Sequence, residues 1–550
     1  MSIYDDKIWL KQYPSGQAAT TTVEFATALD MFAASVARDP DADIIRYFDG
    51  RITLRELDHL TDAFAAGITD AGFTRGERVA IYAQNVPQFV IAQLGTWKAG
   101  GIAVSINPMN RARELEQLLT DSGASVLVAL ESLYRDVAAD VVPKTNVRTV
   151  ITTSELEFQS AGEGALAGVE RIDCPGTIAL ADLLERFRGT PAPSVTIGAE
   201  DIAFLTYTSG TTGPPKGAMT THRNVVFNAQ TYRDWIGIGP EDVILGVAPL
   251  FHVTGLVGHI AVSLLTGAPL VLMYRLDPEA TIATIKRERV TFTVGSITVF
   301  IALMNSASAD RDALSSLTKI YSGGAPIPPA TIIAFQEKFG HYIHNIYGLT
   351  ETTSPSHGVP FGAIAPVDPT TGATSVGVPV YDTVVRVVDE QGNDLPAGEV
   401  GEFVIDGPQV VAGYWNKPEA TANALPGGVL HTGDVGYMDD LGWFYIVDRK
   451  KDQINAGGYK VWPREVEDVL YEHEAVREAA VVGVPDTYRG ETVKAFVSLR
   501  PGASVTPDEL IAFTKERMAA YKYPRIVDII DEIPKTVTGK LLRRELRQTP

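Results

Sequence analysis

RVAIYAQNVPQFVIAQLGTWKAGGIAVSINP, residues 78–108, decides the fold. Arg78 to Ala83 is a short apolar run of strand length, Pro87 to Gly100 has the length of a helix, and Gly101 to Pro108 is a second apolar run. Strand, helix and strand in that order read as a parallel pair joined by a helical crossover. The pattern extends in both directions. Leu57, Leu60, Phe64 and Ile68 recur at helical spacing within Leu54 to Gly72; Arg111 to Ser122 reads as a helix and Ser125 to Leu130 as a strand. The alternation resumes with DVILGVAP, PLVLMY and VTFTVGS, starting at Asp242, Pro269 and Val290. The fold class is therefore α/β: a large N-terminal part with two helix-covered sheets, whose ligands are expected at the strand ends.

From Val376 the texture changes. Val384 to Pro396, Glu399 to Gly407 and Gly442 to Arg449 are short strand-like pieces punctuated by turns, which predicts a β-rich subdomain. A small α+β unit follows, with helices at Arg464 to Glu472 and Pro507 to Met518 and strands beginning at Ala479 and Val493. The charged junction around Lys450 and Lys451 reads as a linker, dividing the chain into 1–449 and a mobile 450–550.

The 550 residues carry a formal net charge of -20, which argues against nonspecific binding to nucleic acid or an anionic membrane. Cys174 is the only cysteine, so the chain forms no internal disulfide and a reducing, cytoplasmic setting fits. The N-terminal MSIYDDKIWLKQYPSG has early acids and no long apolar core, unlike a secretory signal. Phe251 to Tyr274 lacks Asp, Glu, Lys and Arg, but glycines, a proline and two histidines interrupt it. It is expected to be a buried helix near Leu256 to Leu265 and a buried strand at Pro269 to Tyr274, with no transmembrane span.

Function is concentrated in a few polar stretches. YTSGTTGPPKG, Tyr207 to Gly217, leaves the end of an apolar strand with glycines, hydroxyls and Lys216, a composition suited to phosphate oxygens. It is not the G-x-x-x-x-G-K-[ST] loop, because Gly217 and Ala218 follow the lysine. YSGGAPIPP (Tyr321 to Pro329) is a glycine turn, IYGLTETT (Ile346 to Thr353) presents Thr350 and Glu351 beyond a strand, HTGDVG (His431 to Gly436) puts Asp434 in a glycine-flanked turn, and PKTVTGKLLRREL (Pro534 to Leu546) sets Lys540 before a basic helix. A serine hydrolase is excluded, since no G-x-S-x-G occurs.

In this order, and with DRKKDQINAGGYKVWPREVE at the junction, the stretches resemble the adenylate-forming family of acyl-CoA synthetases, nonribosomal adenylation domains and luciferases, from about Thr53 to Leu546. The texture is most similar to bacterial medium- and long-chain fatty-acyl-CoA synthetases, through WLKQYP, GPQVVAGYWNKPEAT and IVDRKKD. The resemblance implies ATP, Mg²⁺ and coenzyme A, and a two-step ligation through acyl-AMP. It implies that Thr208, Ser209, Gly210, Thr211, Thr212, Gly213 and Lys216 hold the β- and γ-phosphates, with Glu351 and Thr208 at the metal and Thr350 at the α-phosphate. Tyr347 and Gly348, with the Gly323, Gly324, Ala325 turn, would receive adenine; Asp434 and Arg449 would bind ribose; Lys540 would bridge the attacking carboxylate and the α-phosphate.

For the thiol step, the resemblance implies a hinge at Lys451, where many members carry Asp, and a pantetheine tunnel at Gly457, Gly458, Tyr459 and Lys460. His252 resembles a gate near the carboxylate, and Val257, Gly258, Ala261, Gly295 and Val299 would line the acyl pocket. A fatty acid is the expected substrate, with an aryl-propanoid or steroid side-chain acid, or a carrier-protein thiol as acceptor, as alternatives. The resemblance also allows a homodimer and weak peripheral membrane association.

Overall fold

The computed structural model describes residues 2–161, 164–208, 215–325, 327–369, 372–449, 452–456, 459–486, 490–536 and 541–547. The stretch that opens the sequence argument folds as expected: strand Arg78–Tyr82, helix Pro87–Lys98 and strand Ile102–Ile106, with the two strands parallel. The helix is buried from Pro87 to Trp97, which explains why it shows little amphipathic spacing. Two features fix it. Gly95 lets the Leu54–Asp70 helix approach, since a Cβ there would sit 2.5 Å from the Phe64 ring; and the Trp97 indole donates to the Ala203 carbonyl at 2.6 Å, tying the helix to strand Ile202–Tyr207.

Both expected sheets are present. One has seven strands, in the order Ile178–Ala179, Thr149–Thr153, Val126–Leu130, Arg78–Tyr82, Ile102–Ile106, Ile202–Tyr207 and Gly217–Thr221. All its pairs are parallel except the last. The other has nine strands, with Ile244–Leu245, Phe292–Gly295, Lys319–Ser322 and His344–Tyr347 forming parallel neighbours at its centre. Strand Asp43–Tyr47 joins this second sheet beside Leu270–Leu272, a long-range pairing that periodicity could not reveal.

The uncharged segment is the expected buried helix, with a register that the sequence does not specify. Gly255–Ala261 is a π-helix that continues as α-helix Val262–Thr266. Glycine is required at its start, because a Cβ on Gly255 would lie 2.2 Å from the Pro249 carbonyl oxygen. Within it the buried His259 ring accepts the Ala248 amide at 3.1 Å, and burial pushes its pKa down to about 3, so this histidine is a neutral part of the core. Among the described residues no helix is long and apolar enough to cross a membrane.

The β-rich stretch is a four-stranded antiparallel sheet of Val384–Val388, Gly401–Asp406, Leu430–Met438 and Phe444–Arg449. After residues 450–451, the chain enters a five-stranded sheet built on the long Val476–Asp486 and Gly490–Leu499 pair, with helices Pro463–Tyr471 and Pro507–Arg517 close to their expected bounds.

Candidate active site

The phosphate-loop candidate is a hairpin connection. Strands Ile202–Tyr207 and Gly217–Thr221 are antiparallel, with Tyr207 opposite Gly217, and the Thr208 amide donates to the Lys216 carbonyl at 3.0 Å. Thr208 and Lys216 therefore face each other across the loop mouth. Ser209, Gly210, Thr211, Thr212 and Gly213 lie outside the described residues.

The segment around Tyr414 closes on this mouth. The Trp415 amide donates to the Gly217 carbonyl at 2.8 Å, the Met219 amide to the Gly413 carbonyl at 2.8 Å, and the Val411 amide to the Glu351 carbonyl at 3.0 Å. These backbone bonds bring three distant stretches together. The Tyr414 hydroxyl donates to Glu351 Oε1 at 2.6 Å, while the Lys216 ammonium stands 4.9 Å from the centre of the same ring. Burial, followed by the Glu351 charge, raises the Tyr414 pKa, so the hydroxyl keeps its proton and donates. Asp121 braces the arrangement from behind, accepting from the Tyr207 hydroxyl at 2.9 Å and from Lys417 at 2.6 Å. Sequence reasoning missed Tyr414 and Asp121; the glycine before Tyr414 in GPQVVAGYWNKPEAT was the available signal for the first.

Tyr347 and Asp434 also meet. The Tyr347 hydroxyl donates to Asp434 Oδ2 at 2.8 Å, and the ring is held edge-on by His357 at 5.3 Å. Asp434 does not occupy a separate turn: it lies inside strand Leu430–Met438, where Gly433 at φ 69° accompanies irregular pairing with the neighbouring strand. Residues 434 and 449 are paired across the sheet. Beside Tyr347, Gly323 packs so closely that a Cβ would lie 2.6 Å from the Ile346 carbonyl oxygen, whereas Gly324, at φ 79°, has open space above it. Ala325 is half-buried next to it, and Gly348 is pressed against Ser354 and Pro355, where a Cβ would meet both Cα atoms at 3.1 Å. Thr350 and Glu351 follow in a short 3₁₀ turn, Thr350–Thr352, pinned by Asn228 on the Thr352 carbonyl at 3.0 Å.

The acyl candidates form a packed apolar wall. Val257, Gly258 and Ala261 are buried in the π-helix, and a Cβ on Gly258 would lie 2.9 Å from Val294 and 3.1 Å from the Tyr232 ring. Gly295 ends the same strand as Val294, and a Cβ there would meet Val247 at 3.0 Å and Val299 at 3.6 Å. His252 is half-buried at the start of this region, its Nδ1 accepting the Thr254 amide at 3.3 Å. Lys451, Gly457, Gly458 and Lys540 lie outside the described residues, as do the side chains of Arg449, Tyr459 and Lys460.

An ionic cluster is built on the residues that follow Lys540 in the sequence. Arg543 places Nη2 2.8 Å from Glu467 and Nη1 3.2 Å from Asp448 and 3.4 Å from Asp452, while Arg547 reaches Asp452 at 3.0 Å. The network joins the last strand of the four-stranded sheet to the small α+β unit and was not legible in the sequence.

Residues 32–415 match the AMP-binding enzyme family, and residues 465–540 match the AMP-binding enzyme C-terminal domain. The chain belongs to the AMP-binding enzyme family. This AMP-binding enzyme is 38% identical over 555 residues to the long-chain-fatty-acid–CoA ligase of Bacillus subtilis strain 168, covering 98% of this chain and 97% of that one. It is also 35% identical to a feruloyl-CoA synthase of Amycolatopsis sp, covering 92% of this chain and 96% of that one. Among solved structures it is similar to an anthranilate CoA ligase in complex with anthranoyl-AMP, with TM-score 0.85 and 27% identity over 96% of this chain and 98% of that one. ATP-bound MatB from Rhodopseudomonas palustris is comparable, with TM-score 0.83 and 28% identity over 95% of this chain and 99% of that one. The family expected from the motifs is the one the chain belongs to, and the adenylate-forming AMP-binding enzyme has the mixed α/β architecture of these CoA ligases.

Proposed function

We infer that the chain is an ATP-dependent fatty-acid–CoA ligase working through an acyl-adenylate. The observation that carries the reading is the convergence of Lys216 and Glu351 on Tyr414 at the mouth of a hydroxyl-rich loop, in a chain whose full-length relatives include long-chain-fatty-acid–CoA ligases.

A carboxylate is a poor acyl donor because oxide would have to leave. In the first step a carboxylate oxygen attacks the α-phosphorus, and the bond from that phosphorus to the bridging oxygen breaks, giving acyl-AMP and pyrophosphate. Such a transfer needs positioning and charge neutralisation more than covalent help from the protein. Lys216 and the loop hydroxyls bind the β- and γ-phosphates, Thr350 contacts the α-phosphate, and Lys540 holds the carboxylate against it. Tyr347 and the open face above Gly324 receive the base, and Asp434 takes the ribose hydroxyls. One carboxylate and one hydroxyl, Glu351 and Thr208, form too small a donor set to cage a cation alone but suit Mg²⁺ bound mainly by phosphate oxygens. When bound, that ion neutralises phosphate charge.

In the second step the sulfur of coenzyme A attacks the acyl carbonyl and loses its proton, and the carbon–oxygen bond to AMP breaks. The body 450–550 turns on Lys451 between the steps, withdrawing Lys540 and presenting Gly457, Gly458, Tyr459 and Lys460 to the pantetheine arm. His252 gates the acyl pocket, and the packed wall at Gly258 and Gly295 forms one apolar side of it. Cytoplasmic residence agrees with these cosubstrates.

The feruloyl-CoA synthase likeness favours one second reading, an aryl-propanoid acid. Acyl-CoA formation should be measured across fatty acids of increasing length together with cinnamic-type and steroid acids. A kcat/KM maximum at a long fatty chain is expected; a maximum at a cinnamic-type acid would replace the fatty-acid assignment.

A further inference from the structure

We propose that Tyr414 is a positioning residue for the triphosphate and its metal, holding Lys216 and Glu351 apart and preset before nucleotide arrives. The inference rests on the function proposed above. Its basis is geometric. A lysine and a glutamate brought to one loop mouth would ordinarily collapse into an ion pair, which incoming phosphates would then have to break. Here the aromatic ring takes the ammonium, at 4.9 Å, and the hydroxyl takes one carboxylate oxygen, at 2.6 Å. A cation over a ring keeps its charge and its remaining N–H donors. A carboxylate bonded through Oε1 keeps Oε2 and a fixed orientation.

The tyrosine is itself immobilised. Its amide donates to Thr421 Oγ1 at 2.9 Å, and its neighbours Gly413 and Trp415 are bonded to Met219 and Gly217 on the strand leaving the loop. Lys417 fastens the far end to Asp121, which also holds the Tyr207 hydroxyl at the base of the loop. One side chain thus fixes two groups of opposite charge relative to strand Gly217–Thr221, which follows the loop. The division of labour is specific: the hydroxyl serves Glu351, and the ring serves Lys216.

Two substitutions separate these roles. Binding of ATP to the full chain is measured by calorimetry without metal and with magnesium, alongside the magnesium dependence of pyrophosphate release. In Tyr414→Phe the ring remains, so metal-free ATP should bind within about twofold of wild type, while the gain in affinity on adding magnesium should fall about tenfold, the scale of a lost hydrogen bond to a charged group. In Tyr414→Leu the ring is lost as well, and metal-free ATP should bind about three- to fivefold more weakly, the scale of a cation–π contact. Wild-type affinities in both variants, with only the melting temperature lowered, would overturn the proposal. So would equal losses with and without magnesium in Tyr414→Phe. Failure of the wild-type chain itself to bind magnesium ATP would instead remove the ligase reading, and this proposal with it.

Discussion

Lys540→Ala should lower acid-dependent pyrophosphate release by roughly 10²- to 10³-fold, the scale for removing one preorganised charge from the reacting oxygens, while thiolysis of supplied acyl-AMP stays near wild type. The asymmetry is the informative part. In the first step the carboxylate and the α-phosphate are both anionic, and the lysine is the group assigned to hold them together. In the second step a thiol attacks an already activated carbonyl, and the proposed turn of the body 450–550 would take the lysine away from it. The check is a pair of assays on one preparation: pyrophosphate release at saturating acid, and acyl-CoA formation from synthetic acyl-AMP. Near wild-type pyrophosphate release would show that another residue bridges the two anions, and equal loss in both assays would point to damage to the fold.

Arg543→Met should destabilise the chain by about 3–5 kcal/mol, because breaking a buried ionic cluster from one side leaves the opposite charges uncompensated. Arg543 is 15% exposed and its partners Asp448, Asp452 and Glu467 are 3%, 10% and 7% exposed, so water does little to replace the guanidinium. Burial already pushes Glu467 above the usual carboxylate range, and Arg543 is the charge that opposes this. Without it the folded state holds the Glu467 proton to higher pH than the unfolded chain does. A group of that kind costs stability as pH rises from its unfolded value up through its higher folded one. The variant's deficit should therefore be greater near pH 8 than near pH 5, as read from thermal melting at the two values. A deficit independent of pH would assign the loss to packing; an unchanged melting temperature would show that the cluster contributes nothing.

These two residues show what the sequence could and could not disclose. Residues 78–108 reveal their strands and helix because local run length specifies them, and the Pro507 helix emerges from similar local information. Strand Asp43–Tyr47 gives no local sign that its partner is Leu270–Leu272, because the pairing spans more than 200 positions of sequence. The π-helical turns at Gly255–Ala261 were hidden for a related reason: apolar composition does not distinguish hydrogen-bond register, which is set by the close contact of Gly255 with Pro249. In the site, Lys216, Glu351, Tyr347 and Asp434 were legible through family-like motifs, whereas the tyrosine joining two of them was not. Tyr414 lies in a stretch rich in glycine and aromatic residues, whose role emerges only when Val411 and Trp415 bond to distant backbone. Arg543 was visible only as part of a basic helix. Its three acids come from Asp448, Asp452 and Glu467, and burial, which turns an ordinary surface charge into an energetic hub, is a property of the fold.

The most direct test of acyl-adenylate ligation is product stoichiometry. The full chain is incubated with ATP, magnesium, coenzyme A and a long-chain fatty acid, and AMP, pyrophosphate and acyl-CoA are quantified together. Equal amounts of all three, with none formed when the acid is omitted, are predicted. ADP and orthophosphate in their place, or pyrophosphate and AMP released without a thioester, would contradict the account.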